Sequence, residues 1–494
     1  MSHTVEESVS EPTYGQVMRK RLLLLLIPIA LALIIWFIPS PIPEPTDPES
    51  KVDPVAAWHL FAIFAATIAG IIAKALPMGA MCMVGMGAVA LTGTLSISQT
   101  LTGFQNTTIW LIVMAFFISR GVIKTGLGRR IALFFVSILG KRTLGLSYGL
   151  ALTDLVLAPA TPSNTARAGG IVMPIMRSIA SSYGSEPDSP ESARKVGSYL
   201  TQTAYIVNCI TSAMFLTAMA GNPLVQELAG QQDVTITWGN WALAAIVPGL
   251  ILLVLMPLVL YKIYPPTLKD TPEAAAQAKS DLKDLGPMSL HEWLMAGTIV
   301  ILLLLWILAD IIGVNATTTA LVGLGLLLIL DVLTWEDVKN EKAAWDTLVW
   351  FAALVMMATF LNTLGLIPWL SQVISDATGG MAWTTAFIIL ALVYFFTHYL
   401  FASNTAHISA MYAAFLGAAI VTGAPPLFAA LVLGVISNLF AMLTHYGAGP
   451  APVLFGTGYV TMPEWWRNGL ISAVITIIVW GVVGGAWMKV LGMW

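Results

Sequence analysis

Thr161-Pro162-Ser163-Asn164-Thr165-Ala166-Arg167-Ala168-Gly169-Gly170 is a polar interruption in the first half of a very apolar chain. The second half echoes it with Ala402-Ser403-Asn404-Thr405-Ala406-His407. The two tripeptides are in register, since 403 − 163 = 240, and the same 240 separates Trp350 from Trp110. In both copies the residue two after the threonine can carry positive charge. A polar tripeptide with a cation inside membrane-length apolar sequence is costly, and such places are kept for function.

The surroundings are those of a bilayer protein. Of 494 residues, 57% are hydrophobic and 10% charged, with a mean hydropathy of +0.82. A soluble domain would carry about 25% charged residues. The apolar runs are continuous rather than alternating, which excludes a transmembrane β-barrel. Cys82 and Cys209 both lie in apolar segments, so neither a disulfide framework nor a metal cluster is expected. The N-terminus, Met1 to Gln16, is polar and acidic and does not read as a cleaved signal peptide; the run from Arg21 to Ile38 reads as a retained signal anchor.

Eleven spans are predicted, at 21–38, 55–75, 78–95, 107–124, 196–220, 239–263, 292–312, 316–332, 346–366, 424–446 and 467–490. Each is near or above the ~17–20 apolar residues that cross a bilayer. Two further stretches, 144–180 and 381–417, are broken in the middle by the Ser-Asn-Thr tripeptides. Each has the length of two half-helices meeting at a tip, a re-entrant hairpin. Irregular backbone at membrane depth is tolerated only where protein buries it or it lines a watery cavity.

Charge tests this layout. With the N-terminus inside, the inner segments hold Arg19, Lys20, Arg21, Lys74, Lys124, Arg129, Arg130, Lys141, Arg142, Arg177, Arg194, Lys195, Lys262, Lys269, Lys279, Lys283, Lys339, Lys342 and Arg467. The outer segments hold only Lys51 and Lys489, a ratio of 19 to 2. The positive-inside rule therefore places the N-terminus in the cytoplasm and the C-terminus outside. Arg120 and Arg167 fall within membrane segments, and Arg120 reads as a snorkelling residue. The first hairpin then opens from the inside and the second from the outside, as an inverted-topology repeat requires. The chain divides into a tail (1–20), a first repeat (21–263), a cytoplasmic linker (264–290) and a second repeat (291–494). The segment Gly128 to Gly140 fits a helix along the inner membrane surface.

Pro162 discourages helix just before its tripeptide. Ser, Asn and Thr favour a helix N-cap, so the second arm of each hairpin should begin there. Its free N–H groups and dipole would face the tip and favour an anion. Two such tips entering from opposite sides suit two anionic groups on a short spacer, of which a dicarboxylate is the simplest. Helix breaks repeat as well: Gly221-Asn222-Pro223 ends one span, and Gly447, Gly449 and Pro450 end another. Freed carbonyls at such breaks can line a site and hold cations. Arg167 and His407 are equivalent, since 407 − 167 = 240. A cation in the first turn of a helix opposes the dipole, unless a bound anion or a vacant cation site lies beside it. The alternatives are that Arg167 partners a carboxylate such as Asp154, and that His407 is a neutral core histidine. His398 and His445 read as packing or local hydrogen-bonding residues rather than as metal ligands with His407.

At these residues the chain resembles the divalent anion/sodium symporter (DASS) family over nearly its whole length. That resemblance implies an all-α polytopic, elevator-type transporter with eleven membrane helices plus two re-entrant hairpins, working as a homodimer. It implies that Ser163, Asn164 and Thr165 hold one carboxylate of a di- or tricarboxylate, and Ser403, Asn404 and Thr405 the other. The Arg167 and His407 positions are similar to those of the exchanger branch, which includes 2-oxoglutarate/malate translocators and citrate/succinate antiporters. Arg167 and a protonated His407 in place of two sodium ions would charge the empty carrier, which could then reorient readily only with an anion bound. The expectation is exchange of C4/C5 dicarboxylates, and possible substrates extend to citrate and tartrate; a sodium-coupled symporter is the alternative. An integral-membrane enzyme is the remote alternative, without a convincing nucleophile–base pair. A bacterial inner membrane is the expected location, and no cofactor, metal or nucleic acid is expected.

Overall fold

The structure is a computed structural model that describes residues 14–47, 49–377 and 380–494. Residues 1–13, most of the expected cytoplasmic tail, lie outside the described residues. The described residues form helices and turns, with no extended strand.

The first half runs α1 (Tyr14–Phe37), α2 (Pro54–Ile72), α3 (Met78–Leu91), α4 (Thr107–Thr125), α5 (Leu127–Leu139) and α6 (Thr143–Leu157). After the first tip come α7 (Gly197–Met214), α8 (Gly221–Gly230) and α9 (Trp238–Ile263). The linker contributes α10 (Pro272–Asp284), which the proline-rich sequence did not suggest. The second half runs α11 (Leu290–Ile307), α12 (Ala316–Ile329), α13 (Lys342–Thr363) and α14 (Trp383–Phe396). The second tip follows, then α15 (Pro426–Leu439), α16 (Pro450–Phe455) and α17 (Met462–Val479). Local sequence explains many of the starts. Asp53 caps the Val55 and Ala56 amides with Pro54 at the first helical position, and Ser289 with Glu292 closes a capping box on α11.

Among the described residues, eleven helices are long and apolar enough to cross a membrane, the same number as the sequence predicts but a different set. Three hairpin arms, 143–160, 383–400 and 404–421, pass that test, whereas α3 and α12 are too short and α7 is absent from it. The reason for α7 is its composition: it carries Ser198, Thr201, Gln202, Thr203, Asn208, Thr211 and Ser212, yet every one of its residues is buried. It is the polar centre of the molecule. The hairpin arms are also longer than half-helices. At about 1.5 Å per residue, the 18 residues of 143–160 and of 404–421 each span most of a bilayer core.

The hairpins open at opposite ends of α9, whose 26 residues extend ~39 Å. At one end, just past α9, the Thr143 amide donates to Lys269 at 2.9 Å and the Thr143 hydroxyl to Leu268 at 2.6 Å, at the base of the first hairpin. At the other, the Trp487 indole donates to Leu243 at 2.6 Å, and Trp494 lies against Trp383 at the base of the second. The basic loops gather at the first end. Lys124 pairs with Asp337 at 2.6 Å, Arg130 with Glu292 at 2.6 Å, and Arg194 with Glu464 at 3.4 Å. Helix α5 lies here too, packed on α6 and on the linker helix α10.

Candidate functional site

Both tripeptides cap helices. The Ser163 hydroxyl accepts the Ala166 amide at 3.1 Å, and the Ser403 hydroxyl accepts the Ala406 amide at 3.4 Å. One residue on, the Arg167 and His407 amides donate to the Ser163 and Ser403 carbonyls, at 3.0 and 3.2 Å. Asn164, Thr165, Asn404 and Thr405 are therefore the first residues of each new helix, where N–H groups have no intrahelical acceptor. Each helix then widens into a π-turn, at Ala166–Val172 and Ile408–Tyr412. The two π-turns end in register, since 412 − 172 = 240. π-Turns inside α-helices gather at functional sites.

The tips meet the breaks crosswise. A Cβ on Gly449, in the second break, would strike the Thr165 hydroxyl of the first tip. A Cβ on Gly221, in the first turn of α8 just past the first break, would lie 2.6 Å from the Ile408 methyl in the π-turn after the second tip. The helices flanking the two breaks also touch, because Asn438 of α15 donates to the Asn222 side chain of α8 at 2.8 Å. No hydrogen bond among the described residues joins Ser163, Asn164 or Thr165 directly to Ser403, Asn404 or Thr405. The first break sits earlier than Gly221: helix stops at Phe215, and Gly221-Asn222-Pro223 form the first turn of α8. The Asn222 amide reaches back to the freed Ser212 and Phe215 carbonyls at 2.8 and 2.9 Å, which lets the irregular stretch stay buried. The second break runs as expected through Gly447 and Gly449, with Pro450 opening α16.

Arg167 is wholly buried. Its Nε donates to Asp154 at 3.2 Å and its Nη2 to Ser212 at 3.0 Å. Its Nη1 donates to the carbonyls of Thr161 and Ala218, each at 2.6 Å. Asp154 accepts as well from Asn208 at 3.2 Å and from Thr211. The structure thus bears out the carboxylate partner named as an alternative for Arg167, and the pair carries no net charge. The same guanidinium fills carbonyls freed at the first tip and the first break. His407 is buried on the Tyr394 ring at 4.6 Å, with Nε2 3.1 Å from the Thr397 hydroxyl and Nδ1 without a partner. It forms no ion pair among the described residues.

His398 takes a larger part than its sequence suggested. Its Nε2 lies 2.7 Å from the Gly447 carbonyl in the second break, the place Arg167 holds in the first. His445 has the local role expected, accepting the Trp466 indole at 3.0 Å. No group of histidine, cysteine or carboxylate residues among those described could hold a metal ion. Sequence reasoning passed over Asn208 and Asn438. Asn208 lies six residues before the end of α7 and Asn438 one residue before the end of α15, and an asparagine ahead of a helix break was the available signal. Asn208 donates to the Asn164 carbonyl at 3.3 Å. The Oδ1 atoms of Asn208, Asn404 and Asn438 are buried without a partner.

Capped tips, crossed breaks and a buried polar centre inside a bundle of membrane-length helices define a polytopic transporter rather than an enzyme. A family model described as the sodium:sulfate symporter transmembrane region matches residues 19–494, and the chain belongs to that family. It is 55% identical over 98% of its length, and all of the relative's, to the Bacillus subtilis "Putative malate transporter YflS". It is 47% identical to the Arabidopsis thaliana "Dicarboxylate transporter 1, chloroplastic", over 95% of this chain and 83% of that one. It is 36% identical to the Shigella sonnei "L-tartrate/succinate antiporter", over 94% and 98%. Among solved structures, the Alcanivorax borkumensis YdaH transporter has the same fold, with a TM-score of 0.52 at 14% identity over 96% of this chain and 97% of that one.

Proposed function

We propose that this protein exchanges C4 and C5 dicarboxylates across a bacterial inner membrane, with tricarboxylates as a wider class of substrate. The observation that carries the reading is the pair of capped tips, each braced by the helix break of the opposite repeat. Each tip offers N–H groups and a positive helix end to one carboxylate. The relatives described as malate, dicarboxylate and tartrate/succinate carriers support the same class. Ser163, Asn164 and Thr165 hold one carboxylate, and Ser403, Asn404 and Thr405 the other. Gly221, Asn222, Pro223, Gly447, Gly449 and Pro450 line the site behind them. The hairpins move as an elevator against a scaffold within a homodimer.

Exchange rather than sodium coupling is supported by what fills the breaks. Arg167 and His398 occupy backbone carbonyls that a sodium ion would need. One observation favours the alternative. Asp154 neutralises Arg167, and three asparagine oxygens stay unpartnered, so acceptors for a cation are present and the empty carrier is not fixed in charge. Counterflow separates the two. Proteoliposomes loaded with succinate should take up labelled malate, succinate or 2-oxoglutarate rapidly without sodium. Rapid net uptake driven by a sodium gradient, with no internal substrate, would overturn exchange. Failure to move any carboxylate in either mode would overturn the substrate class.

A further inference from the structure

The second tip faces a cavity of about 930 Å³ that ends on Ala402, Ser403 and Ala406. Two separate elements line its mouth. From α1 come Lys20 and Arg21, on the helix face shared with Val17 and Leu24. From the turn between α2 and α3 comes Lys74. None of the lining residues is acidic, and none of the three cations forms an ion pair among the described residues. Lys74 also adopts φ +54°, a left-handed conformation that glycine or asparagine would take with less strain. Arg19 lies on the other side of the same helix turn, in a groove with Met18, Leu22 and Leu26.

We propose that Lys20, Arg21 and Lys74 form an anion-capture site for di- and tricarboxylates at the mouth of the path to the second tip. This rests on the function proposed above for the tip itself. A cavity lined by one sign of charge between low-dielectric walls focuses the field and raises the local concentration of an oppositely charged solute. The N-terminal end of the helix at Ser403 extends that potential to the bottom of the cavity. Capture acts before binding at the tip. It lowers the substrate concentration needed on the face that carries the basic loops and leaves the opposite face unaffected.

Two readouts test it, in the full-length protein in vesicles of neutral phosphatidylcholine. In Ala402→Cys, an anionic methanethiosulfonate reagent should react faster, relative to a neutral one, than with a free thiol in solution. The triple variant Lys20→Gln/Arg21→Gln/Lys74→Gln should lower that ratio about tenfold at low ionic strength, and salt should lower it in the parent. In the chain with Ala402 intact, the triple variant should raise the KM for succinate on the basic face, with KM on the other face and kcat unchanged. Arg19→Gln, with its charge at the same depth but outside the cavity, should change neither readout. Equal reagent ratios in parent and triple variant would overturn the capture site, as would an equal effect of Arg19→Gln. So would an effect confined to vesicles with anionic lipid, since the three cations would then hold headgroups. A raised reagent ratio that falls in the triple variant, in a protein that moves no carboxylate, would uphold the cavity potential and defeat the substrate reading alone.

Discussion

Arg167 has two jobs that substitution can separate. It neutralises Asp154, and it satisfies the carbonyls of Thr161 and Ala218 at the tip and the break. Removing one member of a buried ion pair leaves an uncompensated charge, at a cost of about 3–5 kcal/mol. Arg167→Ala should therefore lower the thermal midpoint in detergent and abolish exchange. The double variant Asp154→Asn/Arg167→Gln removes both charges and should recover most of that stability. If the guanidinium acts in transport, exchange stays lost in the double variant; recovered exchange would assign Arg167 to folding alone. Position 167 was conspicuous in the sequence because an arginine in a helix's first turn opposes the dipole. Asp154 could be named there as its partner, but Ser212 and Ala218 could not, because they come from separate places in the chain. His398 was underestimated for the same reason: its partner is the Gly447 carbonyl, and a backbone acceptor leaves no mark in a sequence.

At the scale of elements, the hairpins were legible and their lengths were not. The tripeptides, the 240-residue register and the caps that follow from Ser163 and Ser403 all come from residue type and spacing. Hydropathy alone could not tell a hairpin arm from a span, since 404–421 passes as one. It failed in the opposite sense at α7, because a helix buried against protein on every side need not be apolar. The crossing of tips and breaks was beyond the sequence, being a contact between repeats. It predicts where added volume is harmful. Gly449→Val would drive a branched side chain into Thr165 at the first tip. It should cut exchange at least about tenfold, as displacement of a positioned group by an ångström can, in protein that still purifies with normal helicity. Gly170→Ala, on the helix that follows the same tip, meets nothing within 4 Å and should retain exchange. Equal activity of the two variants would separate Gly449 from the working tip.

Across the whole molecule, the orientation rests on charge and the opposition of the hairpins on packing, and the two lines are independent. Basic loops converge through Arg142–Asp270, Arg194–Glu464, Arg130–Glu292 and Lys124–Asp337 at the end of the molecule where the first hairpin opens. Lys51 and Lys489, assigned outside by the 19-to-2 count, take no part in those pairs. Cys82 and Cys209 are 0% and 3% exposed, so they should stay silent to membrane-impermeant thiol reagents while introduced cysteines report. In intact cells Lys51→Cys should label fully and Lys279→Cys, exposed on the linker helix α10, should label only after the membrane is opened. The reverse pattern would invert the molecule and move the second tip's basic mouth to the outer face. Equal labelling of both in sealed cells would mean that the two positions share one side. That result would break the inverted relation between the repeats, because Lys51 precedes α2 and Lys279 lies past the far end of α9.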